Sequence, residues 1–228
     1  MKLSRTVSVI LIIILLTAAA VFGLADVPEV PELDSLYQSQ RVRLNGFSDE
    51  DTRVFAWYGP GRDYLSAHGY KPAKQRRITA YFNEGGWVLV HLQYQTARER
   101  YLYLPDNAFT SLAGVEEVYE MTYYEGVTLS GTPVRIGPGD EFISEDGLRS
   151  IPAGTYVKVF FQKNGYMYAE FMAGATPVRM WIPAEDVEIS SAGTYAPEQR
   201  RRVRATDTEL GSTGGIENGC VWYACGAR

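Results

Sequence analysis

Cysteine is almost missing from this sequence. Among 228 residues only Cys220 and Cys225 carry a thiol, both within the last nine positions. The body of the chain therefore folds without an internal disulfide. The Cys220-x4-Cys225 spacing admits either a bridge in an oxidising compartment or two free thiols. It is not a metal site, because structural zinc takes four ligands and no histidine lies nearby. Histidine is just as scarce. His68 and His91 precede the thiols by more than a hundred residues, and no activated Cys–His arrangement can be read from the chain. A serine nucleophile elbow, a phosphate-binding loop and a zinc motif are all missing, so no catalytic residue, cofactor or metal is expected. A sustained 3.6-residue apolar period is missing too, which excludes a helical bundle.

Positive charge is also in short supply. The net charge is −5, and it falls by two, to −7, once Lys2 and Arg5 of the leading segment are set aside. An acidic body excludes nucleic acid as a partner, since phosphates need a basic footprint. It also argues against passive adhesion to anionic lipid. A cell-wall glycan or a protein partner stays open. Only one long apolar run exists, Val7 to Gly23, interrupted by Ser8 and Thr17. With Lys2 and Arg5 before it and small residues at Gly23 and Ala25, residues 1–25 have the layout of a secretory signal peptide. The other reading is an uncleaved anchor over residues 7–25, since about 18 residues nearly span a bilayer. Either reading puts the remainder outside the cytoplasm, and membrane contact is expected only with the anchor.

What the chain does have is aromatic side chains and glycine: 16 Tyr, 9 Phe, 4 Trp and 22 Gly. That mixture favours strands and tight turns. Residues 26–40 mix Pro, acids and Ser without a period and read as a linker. Three landmarks then recur in the same order. Gly59-Pro60-Gly61 returns as Gly137-Pro138-Gly139, 78 residues on, each followed by an aromatic, Tyr64 and Phe142. Gly86-Trp87 returns as Gly165-Tyr166, and Tyr103-Leu104-Pro105 as Trp181-Ile182-Pro183. Such order at nearly constant spacing marks a tandem duplication. Within each copy the pattern is strand, Gly turn, strand: Arg77 to Phe82 into Trp87 to Leu92, and Tyr156 to Phe161 through Asn164-Gly165 into Tyr166 to Phe171. A further strand in each ends at a proline.

This order of landmarks resembles the bacterial SH3-like domain. The resemblance spans residues 41–112 and 120–190 and implies an all-β fold of two tandem small SH3-like β-barrels, followed by a flexible tail over 191–228. It also implies a non-catalytic, exported binding module for cell-wall peptidoglycan or an envelope protein. By the same analogy the first long loop and the adjacent hairpin border the ligand groove, where aromatic faces stack on sugars or peptide. The residues so designated are Trp57, Tyr58, Tyr64, Trp87 and Tyr101 in the first copy, and Phe142, Tyr166 and Trp181 in the second. The competing reading makes most of them core, because a small barrel needs large side chains to fill it.

Other features are weaker. His91 lies in an alternating strand and reads as a structural histidine. The acids Asp49-Glu50-Asp51, Asp140-Glu141 and Glu145-Asp146 read as solvated loops. The Gly-Pro-Gly elements lead into β-structure rather than a helix, so they read as turns and not as a phosphate cradle. The run Arg200-Arg201-Arg202-Val203-Arg204 reads as a solvated extension, or as a contact for an anionic polymer or for the acidic barrels. Two further functions remain open: an envelope enzyme with an unrecognised carboxylate site, and a structural protein–protein adaptor.

Overall fold

The computed structural model describes residues 27–44, 55–67, 78–92, 99–145 and 147–197. The leading segment, His68, Asp49 to Asp51, the Arg200–Arg204 run, Cys220 and Cys225 lie outside the described residues. One short helix, α1 (Leu33–Leu36), opens the fold. The first half then comprises β1 (Gln40–Leu44), β2 (Ile78–Glu84), β3 (Trp87–Leu92), β4 (Arg100–Pro105) and β5 (Phe109–Ser111). A short strand β6 (Glu116–Val118) follows. The second half comprises β7 (Met121–Thr128), the two-residue pair β8 (Thr132–Pro133) and β9 (Ser150–Ile151), then β10 (Tyr156–Lys163), β11 (Tyr166–Ala173), β12 (Thr176–Pro183) and β13 (Val187–Tyr195). The protein is all-β, as the aromatic and glycine content leads one to expect.

Both halves are wired alike. The first sheet runs β4-β3-β2-β1-β5, and the second runs β12-β11-β10-β7-β13. In each, the β-hairpin expected from the sequence is present and turns on two residues of positive φ. Gly85 and Gly86 do this in the first half, and Asn164 and Gly165 in the second, as a type I′ turn requires. Each hairpin carries a bulge at the same place, between Ala80 and Phe82 and between Val159 and Phe161. Loop hydrogen bonds repeat as well. Tyr58 N–H donates to Leu65 O, and Ile136 N–H to Ile143 O. Among the described residues neither sheet closes: β4 does not pair with β5, nor β12 with β13. The ladders are thus open sheets rather than the closed barrels expected.

The halves are clasped, not strung. The segment before β1 crosses to the other half: Glu32 bridges Gln162 of β10 in parallel, and Gln162 N–H donates to Pro31 O at 2.8 Å. Reciprocally β6, which precedes β7, pairs in parallel with β2 of the first half. Leu33 and Val118 hold matching places in these straps, and both are buried in one aromatic cluster with Phe82 and Phe161. This corrects the reading of residues 26–40 as a linker. Val30 and Leu33 are apolar side chains with a core to enter, so the segment packs instead of spacing. The tail boundary at 191 is corrected as well. β13 continues to Tyr195 because its last five residues pair with β7.

The same exchange decides which faces of β4 and β12 see solvent. Tyr101 N–H donates to Ile136 O, and Arg179 N–H to Tyr58 O, one contact being the image of the other. Each closing strand therefore abuts the Gly-Pro-Gly loop of the opposite half. Their residues are buried along almost the whole length.

Candidate functional site

Each Gly-Pro-Gly loop folds its following aromatic back over its own first glycine. A Cβ on Gly59 would lie 1.9 Å from the Tyr64 ring, and one on Gly137 would lie 2.0 Å from the Phe142 ring. The glycine is required by close approach. The motif thus builds the seam between the halves.

The buried position of the designated aromatics follows. Tyr58, Tyr64, Tyr101, Phe142, Tyr166 and Trp181 are all buried, Tyr58 and Trp181 completely. This corrects their reading as exposed ligand faces, because the seam consumes them. Tyr58 donates its hydroxyl to Glu145 of the other half, and Arg100 joins both groups at 3.1 and 3.0 Å. Tyr64 donates to Glu170 at 2.6 Å. Tyr101 packs edge-on against Trp181 at 5.0 Å. Tyr166 donates to Asp140 at 2.6 Å. Only Trp57 and Trp87 stay half-exposed. They meet edge to face at 5.1 Å, and Phe55, 63% exposed, extends the row at 6.4 Å from Trp57. The corresponding positions in the second half are Pro133, Arg135 and Tyr166, so this aromatic row belongs to the first half alone.

The seam has two ends related by the internal symmetry, and they differ in chemistry. At one end Arg179 of β12 is fully buried. It pairs with Glu84 of β2 through two N–H groups at 2.7 and 3.2 Å, and with Glu170 of β11 at 2.8 Å. Tyr195 accepts a hydrogen bond from it at 2.7 Å and donates one to Glu84. The guanidinium lies 4.0 Å from the Phe160 ring centre. Every charge is answered by a neighbour. Burial, the largest single effect, would lower the Arg179 pKa, but Glu84 together with Tyr195, Tyr64 and Tyr103 outweighs it and holds the pKa well above the usual value.

At the other end the same positions carry different residues: Tyr101 for Arg179, Lys163 for Glu84, His91 for Glu170, Tyr81 for Phe160 and Phe142 for Tyr64. Here the seam opens into a cleft of about 390 Å³. One wall is a stack of three rings: His91 on Tyr101 at 4.6 Å and 10°, and Tyr101 on Tyr81 at 5.9 Å and 28°. His91 Nε2 lies 3.1 Å from Glu99. Burial pushes the His91 pKa below 6.5, partly offset by the Glu99 charge, so the ring is neutral at pH 7. Glu141, an exposed residue of the opposite loop whose carboxylate lies against Gly139, also lines the cleft. The Lys163 ammonium pairs with Asp34 at 2.6 Å and stands 5.8 Å from the Tyr81 ring centre.

None of Tyr81, Glu99 or Lys163 is picked out by a motif; Glu141 reads from sequence only as a solvated loop acid, and His91 only as a structural histidine. The available signal was the mismatch between repeats, where His91 answers Glu170, Tyr101 answers Arg179 and Glu99 answers Pro177. Among the described residues no three metal-ligating side chains converge, and no helix is long and apolar enough to cross a membrane. Comparison of the chain with family models, curated proteins and solved structures found no match in any of them.

Proposed function

We propose that this protein is an exported, non-catalytic binding module built from two tandem SH3-like domains, engaging cell-wall peptidoglycan or an envelope protein. The shared strand order and the recurring Gly-Pro-Gly loops support the domain reading. The observation that carries the binding role is the row Phe55–Trp57–Trp87, a group of adjoining large aromatics left partly open to solvent on the first half. Adjoining rings of this kind stack on sugar faces or on extended peptide at little entropic cost. The acidic body suits a neutral or cationic region of such a polymer. The apolar leading segment supports export, with the folded body starting within a few residues of it, since Val30 is already buried.

The test is co-sedimentation of the full chain with insoluble peptidoglycan at low and moderate salt. Saturable binding that survives moderate salt and drops about tenfold or more in Trp57→Ala, as loss of one stacking aromatic at a binding hot spot costs, supports the reading. Binding unchanged in Trp57→Ala and Trp87→Ala refutes the aromatic row as the contact. No sedimentation at all refutes the wall as ligand.

A further inference from the structure

The locked end of the seam shows what its open twin lacks. In the locked end the chain supplies its own cation: Arg179 fills the space between Glu84 and Glu170 and lies over an aromatic ring. In the open end Tyr101 stands at the Arg179 position, and its phenol brings no charge. Lys163 and His91 stand where the twin has Glu84 and Glu170, but the cleft is lined by two carboxylates at other positions, Glu99 on the first half and Glu141 on the second. Among the described residues lining it, the one charged base is Lys163, which is engaged by Asp34. That contact also shows the wall tolerating an ammonium near the Tyr81 ring. A polar, solvent-connected cleft lined by two carboxylates and stacked rings has the make-up of a ligand site.

We infer that this cleft binds an organic ammonium group, held by Glu99 and Glu141 against the Tyr81–Tyr101 wall. The group supplies a cation, as Arg179 does in the twin, but between carboxylates at other positions of the seam. Carboxylates supply charge-assisted hydrogen bonds and the ring stack supplies cation–π attraction. His91 contacts one oxygen of Glu99 at 3.1 Å and, when neutral, adds no positive charge there. The ammonium can come from a free diamine or from a lysine-like side chain on a peptide; both present the same group. This site is separate from the Phe55–Trp57–Trp87 row and stands or falls without it.

The experiment is isothermal titration of the full chain, in detergent micelles, with cadaverine, with an N-acetyl-lysine amide and with its Nε-acetylated form. Saturable binding of the amines and none of the acetylated form is expected, weakened about tenfold or more in Glu99→Gln and in Glu141→Gln, since a charge-assisted contact is typically worth that much. Glu99→Asp, which keeps the charge, should retain binding if the variant is folded by near-ultraviolet circular dichroism. Trp57→Ala should bind the amines as the parent does. Tighter binding of the lysine amide than of cadaverine assigns the site to a peptide side chain; the reverse assigns it to a free amine. Absence of binding by either amine, equal binding of the acetylated form, or unchanged affinity in both glutamine variants overturns the proposal.

Discussion

Replacing Arg179 by Met tests whether the two halves are held together by the buried charge cluster. The guanidinium is 1% exposed, and so is its partner Glu84. Removing it strands the Glu84 carboxylate away from water, and breaking a buried pair in this way costs about 3–5 kcal/mol. Two features pull the figure to the low end. Glu84 keeps hydroxyl donors from Tyr103 and Tyr195, and methionine refills most of the volume. We therefore expect a loss of about 3 kcal/mol, which for a folded body of this size lowers Tm by roughly 6–12 °C. The second arm is Arg179→Met combined with Glu84→Leu. With both charges gone the fully buried carboxylate is no longer stranded, and Glu170, 14% exposed, keeps the Tyr64 hydroxyl, so the double variant should recover about 2 kcal/mol of the summed single losses. Thermal unfolding followed by near-ultraviolet circular dichroism reads both quantities. The singles should also broaden or split the transition, because the pair joins elements of both halves. An Arg179→Met variant melting within about 2 °C of the parent, or strictly additive losses in the double, would show that the pair is not a stabilising link between the halves.

Three further outcomes follow from the same contacts. Leu33→Ala removes a fully buried side chain from the first strap and should cost about 2–5 kcal/mol in urea unfolding. It should also speed hydrogen exchange of the Gln162 amide, which donates to Pro31 O; unchanged protection there would mean the strap is not docked. Gly137→Ala drives a Cβ into the Phe142 ring and should cost about 1–3 kcal/mol by overpacking, whereas Gly131→Ala, with nothing within 4 Å, should stay within about 0.5 kcal/mol. The His91 pKa is lowered by burial from 6.5, so the unfolded chain binds this proton at a higher pH than the folded one. Its share of stability is complete above about 6.5 and drains away as pH falls from there towards the folded value. Urea midpoints measured down that range should fall less steeply in His91→Gln than in the parent, and parallel curves would contradict the shift.

The strands and turns were legible because they depend on local chemistry. Alternating β-branched and aromatic residues, a Gly-Gly or Asn-Gly turn and a terminal proline each fix the backbone within a few residues. The role of the aromatics was not legible, because it is set across the seam. Nothing near Tyr58 in sequence announces Glu145, 87 positions on, or its partner Arg100. Val30 and Leu33 sit in a Pro-rich acidic stretch that reads as a linker, and only the far-off β10 gives their apolar side chains somewhere to go. The paired repeats hid the site in another way. Shared landmarks such as Gly-Pro-Gly attract attention, yet they maintain the seam common to both ends. The candidate site lies where the copies disagree.

That disagreement has a physical logic. Two identical halves joined about an axis make every seam contact twice, so a buried Arg must find its carboxylates at both ends or leave a charge unanswered. This chain avoids the duplication by splitting the polar contacts. Arg179 and Glu84 cluster at one end, while their counterparts are Tyr101 and Lys163. The Tyr58–Arg100–Glu145 cluster likewise has the apolar counterparts Ile136, Val178 and Ala67. Each polar cluster therefore has one home, and a half cannot exchange places with its twin without burying mismatched groups. Such a division fixes the order of the halves and frees one end from its structural duty. At that freed end, with Phe142 unable to make the hydroxyl contact that Tyr64 makes to Glu170, the seam is not drawn shut by a hydrogen bond, and it is there that the cleft with His91, Glu99 and Glu141 lies.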